Sequence, residues 1–175
     1  MDSFLVYVGD VTHDLGSSIN VIESLILHDF TFNEMAFTHA SPAQVDITVT
    51  NTGAGLVAMG SVAATLRTEC SRCLEPFEMP VVGTIEAFFT TADRAIDLPE
   101  GQEWSPIQGE TVDVLPGVLA AILVELPIAP VHSDDCRGIC PKCGCDLNEN
   151  RCECPSDAKA PNPFEALRSL QEETD

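Results

Sequence analysis

Cysteines are the feature of this 175-residue sequence that most restricts what it can fold into. The chain has eight cysteines, and six of them lie between Cys136 and Cys154, in a segment rich in polar and turn-forming residues. Such a segment has no apolar core of its own, so free reduced thiols would leave it unfolded. The sequence therefore predicts a small module near the C-terminus that thiolate ligands and a metal ion hold together.

The centre of this module is the C-x-x-C-G motif Cys140-Pro141-Lys142-Cys143-Gly144, which is typical of a zinc knuckle. The turn between two such thiolates points backbone N–H groups at the sulfurs, and the glycine permits the bend that follows. Cys152 and Cys154 lie close enough downstream to complete a tetrahedral site. Because thiolates dominate the ligand set, a closed structural site is favoured over a catalytic one.

A second motif, Cys70-Ser71-Arg72-Cys73-Leu74, lies at the turn between two predicted strands. A thioredoxin-like motif would instead open a helix, which Leu74-Glu75-Pro76 does not favour. Glu69 and Glu75 are expected to raise the pKa of these thiols and make them poor nucleophiles. We therefore predict metal binding here, with ligands completed by residues that follow a helix packed on the same sheet.

Two ligand assignments remain open at this stage. The first has two sites, with Cys145 as a spare thiol. Its rival has one site in the tail, formed by Cys136, Cys140, Cys143 and either Cys152 or Cys154, and leaves the hairpin thiols free. Zinc is the expected ion, and iron is the alternative. The ligands of the two-site assignment are Cys70, Cys73, His132 and Cys136 for one ion and Cys140, Cys143, Cys152 and Cys154 for the other.

The charge of the chain restricts its partners. Its 28 acidic and 8 basic residues give a formal net charge of −20, which repels a phosphate backbone unless basic groups are gathered locally. The simplest role of this charge is to keep the surface solvated. The more specific role is attraction to a basic protein partner. Basic residues beside the cysteines could contact RNA or a partner, or could balance neighbouring carboxylates; they are Arg72, Arg137, Lys142 and Arg151.

The cellular compartment is predicted from the first residues, the longest apolar run and the cysteines. The first residues have no basic segment followed by an apolar one, so no secretory signal is expected. The longest apolar run, residues 112–131, is interrupted by three prolines and is a poor membrane span. Eight cysteines in a reducing compartment favour metal binding over disulfides, and we expect a cytoplasmic protein.

The middle of the chain predicts an antiparallel β-meander. Val45, Ile47 and Val49 alternate with polar residues, as in a half-buried strand. Long strands are predicted at 56–68, where Gly60 is a candidate bulge, and at 77–90. Shorter strands are expected at 4–8 and 32–37, residues 21–27 fit either a strand or a helix, and residues 92–109 fit a long surface loop.

Two helices are predicted near the C-terminus. The first runs from Val114 to Leu126, with Asp113 as its N-cap and an apolar face that should pack on the sheet. The face consists of Leu115, Leu119, Ile122 and Leu126. Asn162-Pro163-Phe164 opens the second.

The fold class is α+β: an antiparallel β-meander or barrel-like sheet with a packed helix and a C-terminal cysteine-rich metal-binding module. The expected divisions are an α+β domain at 1–130, the metal-binding module at 131–155, and a linker with a terminal helix at 156–175.

Three stretches resemble the YceD-like family of large ribosomal RNA subunit accumulation proteins. Residues 70–75 resemble its C-x-R-C-L-E signature, residues 126–154 its cysteine-rich tail, and residues 162–170 its terminal helix. The order and spacing of these motifs are specific over about the last hundred residues. One departure is His132, where many members have cysteine; zinc accepts either ligand.

The resemblance implies a non-enzymatic factor in the accumulation, processing or assembly of large-subunit ribosomal RNA. The acidic charge fits docking on a basic ribosomal protein or an rRNA-processing enzyme, and direct RNA contact is a further expectation. Two alternatives come from other functional classes. One is a thiol redox enzyme that uses Cys70 and Cys73, and the other is an RNA-binding zinc ribbon.

Overall fold

The computed structural model describes residues 3–154. The chain divides into two compact units, Met1–Cys136 and Arg137–Asp175, and the second is described over residues 137–154. The helix predicted from Asn162 lies outside the described residues.

The first unit contains the regular secondary structure. Its helices are α1 (Gly9–Thr12), α2 (Ala92–Ala95) and α3 (Leu115–Glu125). Its strands are β1 (Leu5–Tyr7), β2 (Ser18–Leu25), β3 (Phe30–Phe32), β4 (Met35–His39), β5 (Ala43–Asn51), β6 (Leu56–Glu69), β7 (Pro76–Thr90), β8 (Ser105–Pro106) and β9 (Thr111–Asp113). No helix within residues 3–154 is long and apolar enough to cross a membrane.

Most strands form one mainly antiparallel sheet around the long β6–β7 hairpin. β5 and β7 pair with opposite edges of β6, β2 adds beyond β5, and β4 pairs with the far end of β6. The predicted meander is therefore confirmed, and residues 21–27 fall largely in strand β2 rather than a helix. The barrel-like alternative is wrong for the described chain, because β2 pairs only with β5 and the sheet does not close.

The predicted bulge at Gly60 is absent from the described pairing. Gly60 pairs with Ile47 of β5 and Ile85 of β7 in uninterrupted registers. A Cβ at this position would collide with the carbonyl oxygen of Asp46 and the Cα of Ile47. Glycine is needed here because the backbones of β5 and β6 approach each other closely, not because the strand contains an extra residue.

The strand predicted at residues 32–37 is instead a hairpin. Asn33 and Glu34 form its two-residue turn, with φ angles of 49° and 66°, and Phe32 pairs with Met35. Two central residues with positive φ are characteristic of a type I′ turn, which strongly prefers Asn-Gly. Glu34 occupies the position where glycine is expected, and this hid the turn in the sequence.

The core lies between the inner face of the sheet and α3. The strand residues that alternate inward, such as Val45, Ile47 and Val49, are almost completely buried. Helix α3 packs on β7, as predicted, but its fully buried face is centred on Val118 and Ile122, whereas Leu115 is only half-buried.

The predicted helix-capping role of Asp113 is displaced by one residue. Asp113 lies in β9, and Val114 is the N-cap residue of α3. The Asp113 carboxylate nevertheless accepts hydrogen bonds from the N–H groups of Leu115 at 3.0 Å and Phe4 at 2.9 Å. It therefore ties the N-terminal strand to the start of the helix that leads to the cysteine-rich segment.

Replacing Gly60 with Ala should destabilise the first unit by about 1–3 kcal/mol, because the added methyl group overpacks the β5–β6 contact. Urea unfolding followed by circular dichroism would measure the loss. Ser61→Ala, at the next and solvent-exposed position of β6, is the matched control and should stay within about 0.5 kcal/mol of wild type. Equal stability of the two variants would contradict the packing argument.

Candidate metal centres

The turn of the β6–β7 hairpin forms the first cysteine knuckle. Glu69 pairs with Pro76 at the end of the ladder, so residues 70–75 make the connection. The N–H of Cys70 donates to the carbonyl of Glu75 at 2.9 Å, and the N–H of Leu74 donates to the carbonyl of Cys70 at 2.9 Å. The Arg72 N–H lies 3.5 Å from the Cys70 sulfur. This backbone closes a tight turn with both thiols on it.

The segment after α3 returns to this turn. The N–H of Ser71 donates to the carbonyl of Pro130 at 2.8 Å. The Arg72 guanidinium also contacts this segment, since its Nη1 donates to the carbonyl oxygens of Asp134 at 2.9 Å and Cys136 at 3.0 Å. Residues some sixty positions apart in the sequence are thereby fixed against one another.

The first cluster consists of Cys70, Cys73, His132 and Cys136, whose ligand atoms all lie within 4.8 Å of one another. The sulfurs of Cys70 and Cys136 are 3.8 Å apart, and the Cys73 sulfur is 3.3 Å from Nδ1 of His132. A tetrahedral zinc ion separates two sulfurs by about 3.8 Å and a sulfur from a nitrogen by about 3.6 Å. The donor set therefore fits zinc, and the sulfurs are too far apart for a disulfide.

The thiols of this cluster are shielded from water. Cys70, Cys73 and Cys136 are buried and pack with Phe77 and Val131, while His132 is exposed. The ring of Phe77 meets the imidazole of His132 edge-on, with centroids 6.5 Å apart. Three buried thiols and one imidazole supply four donors and leave no open position for a substrate, which favours a structural site.

The two hairpin thiols differ in acidity. Burial disfavours ionisation of Cys70, but hydrogen bonds from the backbone N–H groups of His132 and Arg72 outweigh it and lower the pKa of this thiol to about 6. Burial raises the pKa of Cys73 to about 11. The expectation that Glu69 and Glu75 make both thiols less acidic is therefore wrong for Cys70, because the nearby N–H groups decide its pKa.

The second unit contains a knuckle with the same hydrogen bonds. The N–H of Cys140 donates to the carbonyl of Cys145 at 2.8 Å, and the N–H of Gly144 donates to the carbonyl of Cys140 at 2.8 Å. Asp146 supports the reversal that follows, since its carboxylate accepts the N–H of Asn148 at 2.7 Å.

The second cluster consists of Cys140, Cys143, Cys152 and Cys154, again with all ligand atoms within 4.8 Å. The Cys152 sulfur lies 3.2 Å from that of Cys140 and 3.6 Å from that of Cys143. Cys145 is outside this set of four, although its sulfur lies 3.4 Å from that of Cys143. Four sulfurs within 4.8 Å of one another can surround one ion as a tetrahedral thiolate site.

Acidity also varies within the second cluster. Hydrogen bonds from the backbone N–H of Cys145 and from neighbouring thiols lower the pKa of Cys143 to about 6. The hydrogen bond between the Cys143 and Cys145 side chains raises the pKa of Cys145 to about 12, and the one between Cys152 and Cys154 raises the pKa of Cys154 to about 12. Neighbouring thiols are therefore joined by S–H···S hydrogen bonds. A metal ion bound to the four thiolates would displace these protons.

The two knuckles have different residues at one position where their backbones are alike. The residue after the second cysteine has a positive φ in both, 73° at Gly144 and 65° at Leu74. Glycine adopts this conformation freely, whereas a residue with a Cβ pays about 1–2 kcal/mol in steric strain. The first knuckle therefore holds a leucine where its own backbone geometry favours glycine.

The family model of the Large ribosomal RNA subunit accumulation protein YceD matches residues 58–171, which include both knuckles and all eight cysteines. The chain belongs to the YceD family. This confirms the resemblance drawn from residues 70–75 and from the cysteine-rich tail.

Relatives of this YceD chain agree with that assignment. The Large ribosomal RNA subunit accumulation protein YceD of Haemophilus influenzae is 33% identical over 144 residues, which cover 75% of each chain. Uncharacterised proteins of Mycobacterium tuberculosis and Mycobacterium leprae are 33% and 29% identical and match 65% and 61% of this chain. The matched segments span 55% and 50% of those mycobacterial proteins. No solved structure matches the chain significantly.

The eight residues of the two-site assignment fall into these two clusters in this YceD protein, and Cys136 groups with the hairpin thiols. Arg137, Lys142 and Arg151, predicted to contact RNA or a partner, are exposed in the second unit. Sequence reasoning missed the internal role of Arg72, whose guanidinium holds the 134–136 backbone. Its position between the two cysteines was the available signal, but the carbonyl partners are remote in the sequence.

Purified full-length protein should contain two zinc ions per chain. Cys73→Ser should remove one ion and Cys143→Ser the other, because each substitution leaves three donors in one cluster. Elemental analysis after exhaustive dialysis measures the stoichiometry. Cys145→Ser is the matched control and should retain both ions. One ion per wild-type chain would favour a single tail site, and none would contradict metal binding altogether.

Arg72→Gln should weaken metal binding at the first cluster by roughly tenfold, as for other residues that orient ligands without touching the ion. The reason is that the 134–136 backbone loses its two hydrogen bonds to Arg72. Cobalt titration with absorption spectroscopy distinguishes a three-sulfur, one-nitrogen site from a four-sulfur site. Arg67→Gln is the control, since Arg67 pairs with Glu78 on the same hairpin. An unchanged affinity in Arg72→Gln would remove the positioning role.

Proposed function

We propose that this YceD protein is a non-enzymatic factor for the accumulation, processing or assembly of large-subunit ribosomal RNA, with structural zinc sites. The family match over residues 58–171 is the observation that carries the ribosomal part, because the family is described by large-subunit RNA accumulation. The closed ligand sets support a structural rather than a catalytic use of the metal.

The proposed ligands of the first zinc are Cys70, Cys73, His132 and Cys136, and those of the second are Cys140, Cys143, Cys152 and Cys154. Iron is the alternative ion for a thiolate-rich site. Bound metal would cross-link the hairpin turn to the segment after α3 in the first unit. In the second it would close residues 140–154 around a single centre.

The proposed partner is a basic ribosomal protein or an rRNA-processing enzyme in the cytoplasm. A net charge of −20 favours association with a basic protein surface and opposes broad contact with a phosphate backbone. Direct RNA contact would be restricted to exposed basic residues, of which Arg137, Lys142 and Arg151 are the candidates in the second unit.

A thiol redox enzyme is the second candidate function. The lowered pKa of Cys70 favours it, because a thiolate at neutral pH is the reactive form. Two observations favour the metal site instead. Cys70 is completely buried, and its neighbours Cys136 and His132 complete a donor set that a dithiol catalyst does not need.

Deletion of the gene should lower the ratio of large-subunit to small-subunit ribosomal RNA, and the wild-type gene should restore it. Cys70→Ser and Cys136→Ser should both fail to restore the ratio, since each removes a ligand of the same proposed ion. Quantification of total RNA by electrophoresis measures the effect, with Cys145→Ser as the restoring control. Failure confined to Cys70→Ser and Cys73→Ser, with Cys136→Ser active, would favour redox chemistry. An unchanged ratio after deletion would contradict the proposed function.

A further inference from the structure

Besides Asn33, a residue type that tolerates positive φ, two described residues of the first unit occupy backbone positions that favour glycine. Leu74 follows the first knuckle with a φ of 65°, and Glu34 lies in the β3–β4 turn with a φ of 66°. The equivalent of Leu74 in the second knuckle is Gly144, so a leucine is not required by the hydrogen bonds of the turn. Backbone strain of this kind persists only where the surrounding structure holds it in place, and it is concentrated at functional sites.

Both of these residues line the same cavity of about 590 Å³. Met35 and Pro76 add apolar surface, and Glu69 adds a second carboxylate. Leu74 is 57% exposed, so its side chain does not contribute a buried core contact that would offset the strain. The two glycine-like positions thus place one apolar and one acidic side chain around one opening.

The charge of the cavity selects its occupant. Arg67 is the basic residue that lines it, and its guanidinium is engaged by Glu78 across the hairpin. Glu34 and Glu69 therefore leave the opening with a negative field, which opposes RNA and attracts lysine or arginine. The exposed Leu74 and half-buried Met35 offer apolar contact beside those carboxylates.

We propose that this cavity, lined by Glu34, Met35, Glu69 and Leu74, is the docking site for a protein segment with an apolar side chain flanked by basic ones. The apolar side chain packs against Leu74 and Met35, and the basic groups meet Glu34 and Glu69. The segment belongs to a basic protein of the large ribosomal subunit. Only this identity of the partner rests on the proposed function.

Substitutions by glycine separate docking from folding. Leu74→Gly and Glu34→Gly relieve backbone strain, so the melting temperature should stay the same or rise by about 2–4 °C. Their affinity for the basic proteins extracted from purified large ribosomal subunits should nevertheless fall about tenfold, a loss typical of an interface contact. Leu15→Gly, at another exposed leucine, is the matched control and should bind as wild type. Wild-type affinity in both cavity variants would overturn the proposal.

Photo-cross-linking identifies the occupant. A photoreactive leucine analogue at position 74 of the full chain, irradiated with that protein extract and with ribosomal RNA, should attach to a basic ribosomal protein. The same analogue at position 15 should not. Cross-links to RNA alone, or none from position 74, would overturn the docking site whether or not the deletion lowers ribosomal RNA. A cross-link to a basic protein from outside the ribosome would keep the docking site and weaken the proposed function.

Discussion

The pairing of β6 with β7 is the constraint on which the first unit depends. The ladder is continuous from Leu56 opposite Phe89 to Glu69 opposite Pro76, so its register fixes the connection that holds Cys70 and Cys73. One face of the same hairpin supports α3, and the chain after α3 returns to the turn. A slip of one residue would turn every inward side chain outward and displace the knuckle from the segment with His132 and Cys136. The hydrophobic alternation therefore positions the donor atoms as well as the core.

Those parts of the fold that have a local signal were predictable. Alternation at Val45, Ile47 and Val49 identified a strand because one face of it is buried, and cysteine spacing identified the knuckles because the turn itself brings their sulfurs together. The turn at Asn33-Glu34 was hidden because glutamate replaces the glycine that normally marks it. The role of Gly60 was misassigned because the obstructing carbonyl belongs to Asp46 on the neighbouring strand, which a single-strand pattern does not reveal.

The donors of the candidate sites were likewise predictable where neighbouring residues determine them, and less so where residues remote in the sequence do. C-x-x-C spacing predicts two donors of each cluster, whereas the other two donors of the first cluster depend on where α3 ends. The acidity of Cys70 was predicted with the wrong sign because neighbouring carboxylates were visible in the sequence and the N–H group of His132 was not. A hydrogen bond donated to a thiolate favours its ionised form, and hydrogen bonds are stronger where the group is shielded from water.

The two clusters should depend on metal to different extents. In the first, a hairpin, a packed helix and the hydrogen bonds of Arg72 place the donors before an ion binds. Metal binding there therefore costs little further conformational entropy. In the second, only Gly138 and Cys140 are buried among residues 137–154, and the chain has no comparable core there. The free energy of metal binding at the second cluster must therefore also order the backbone of residues 137–154, which couples binding at that site to folding. The same thiolate chemistry thus reinforces an existing fold in one unit and creates a local fold in the other.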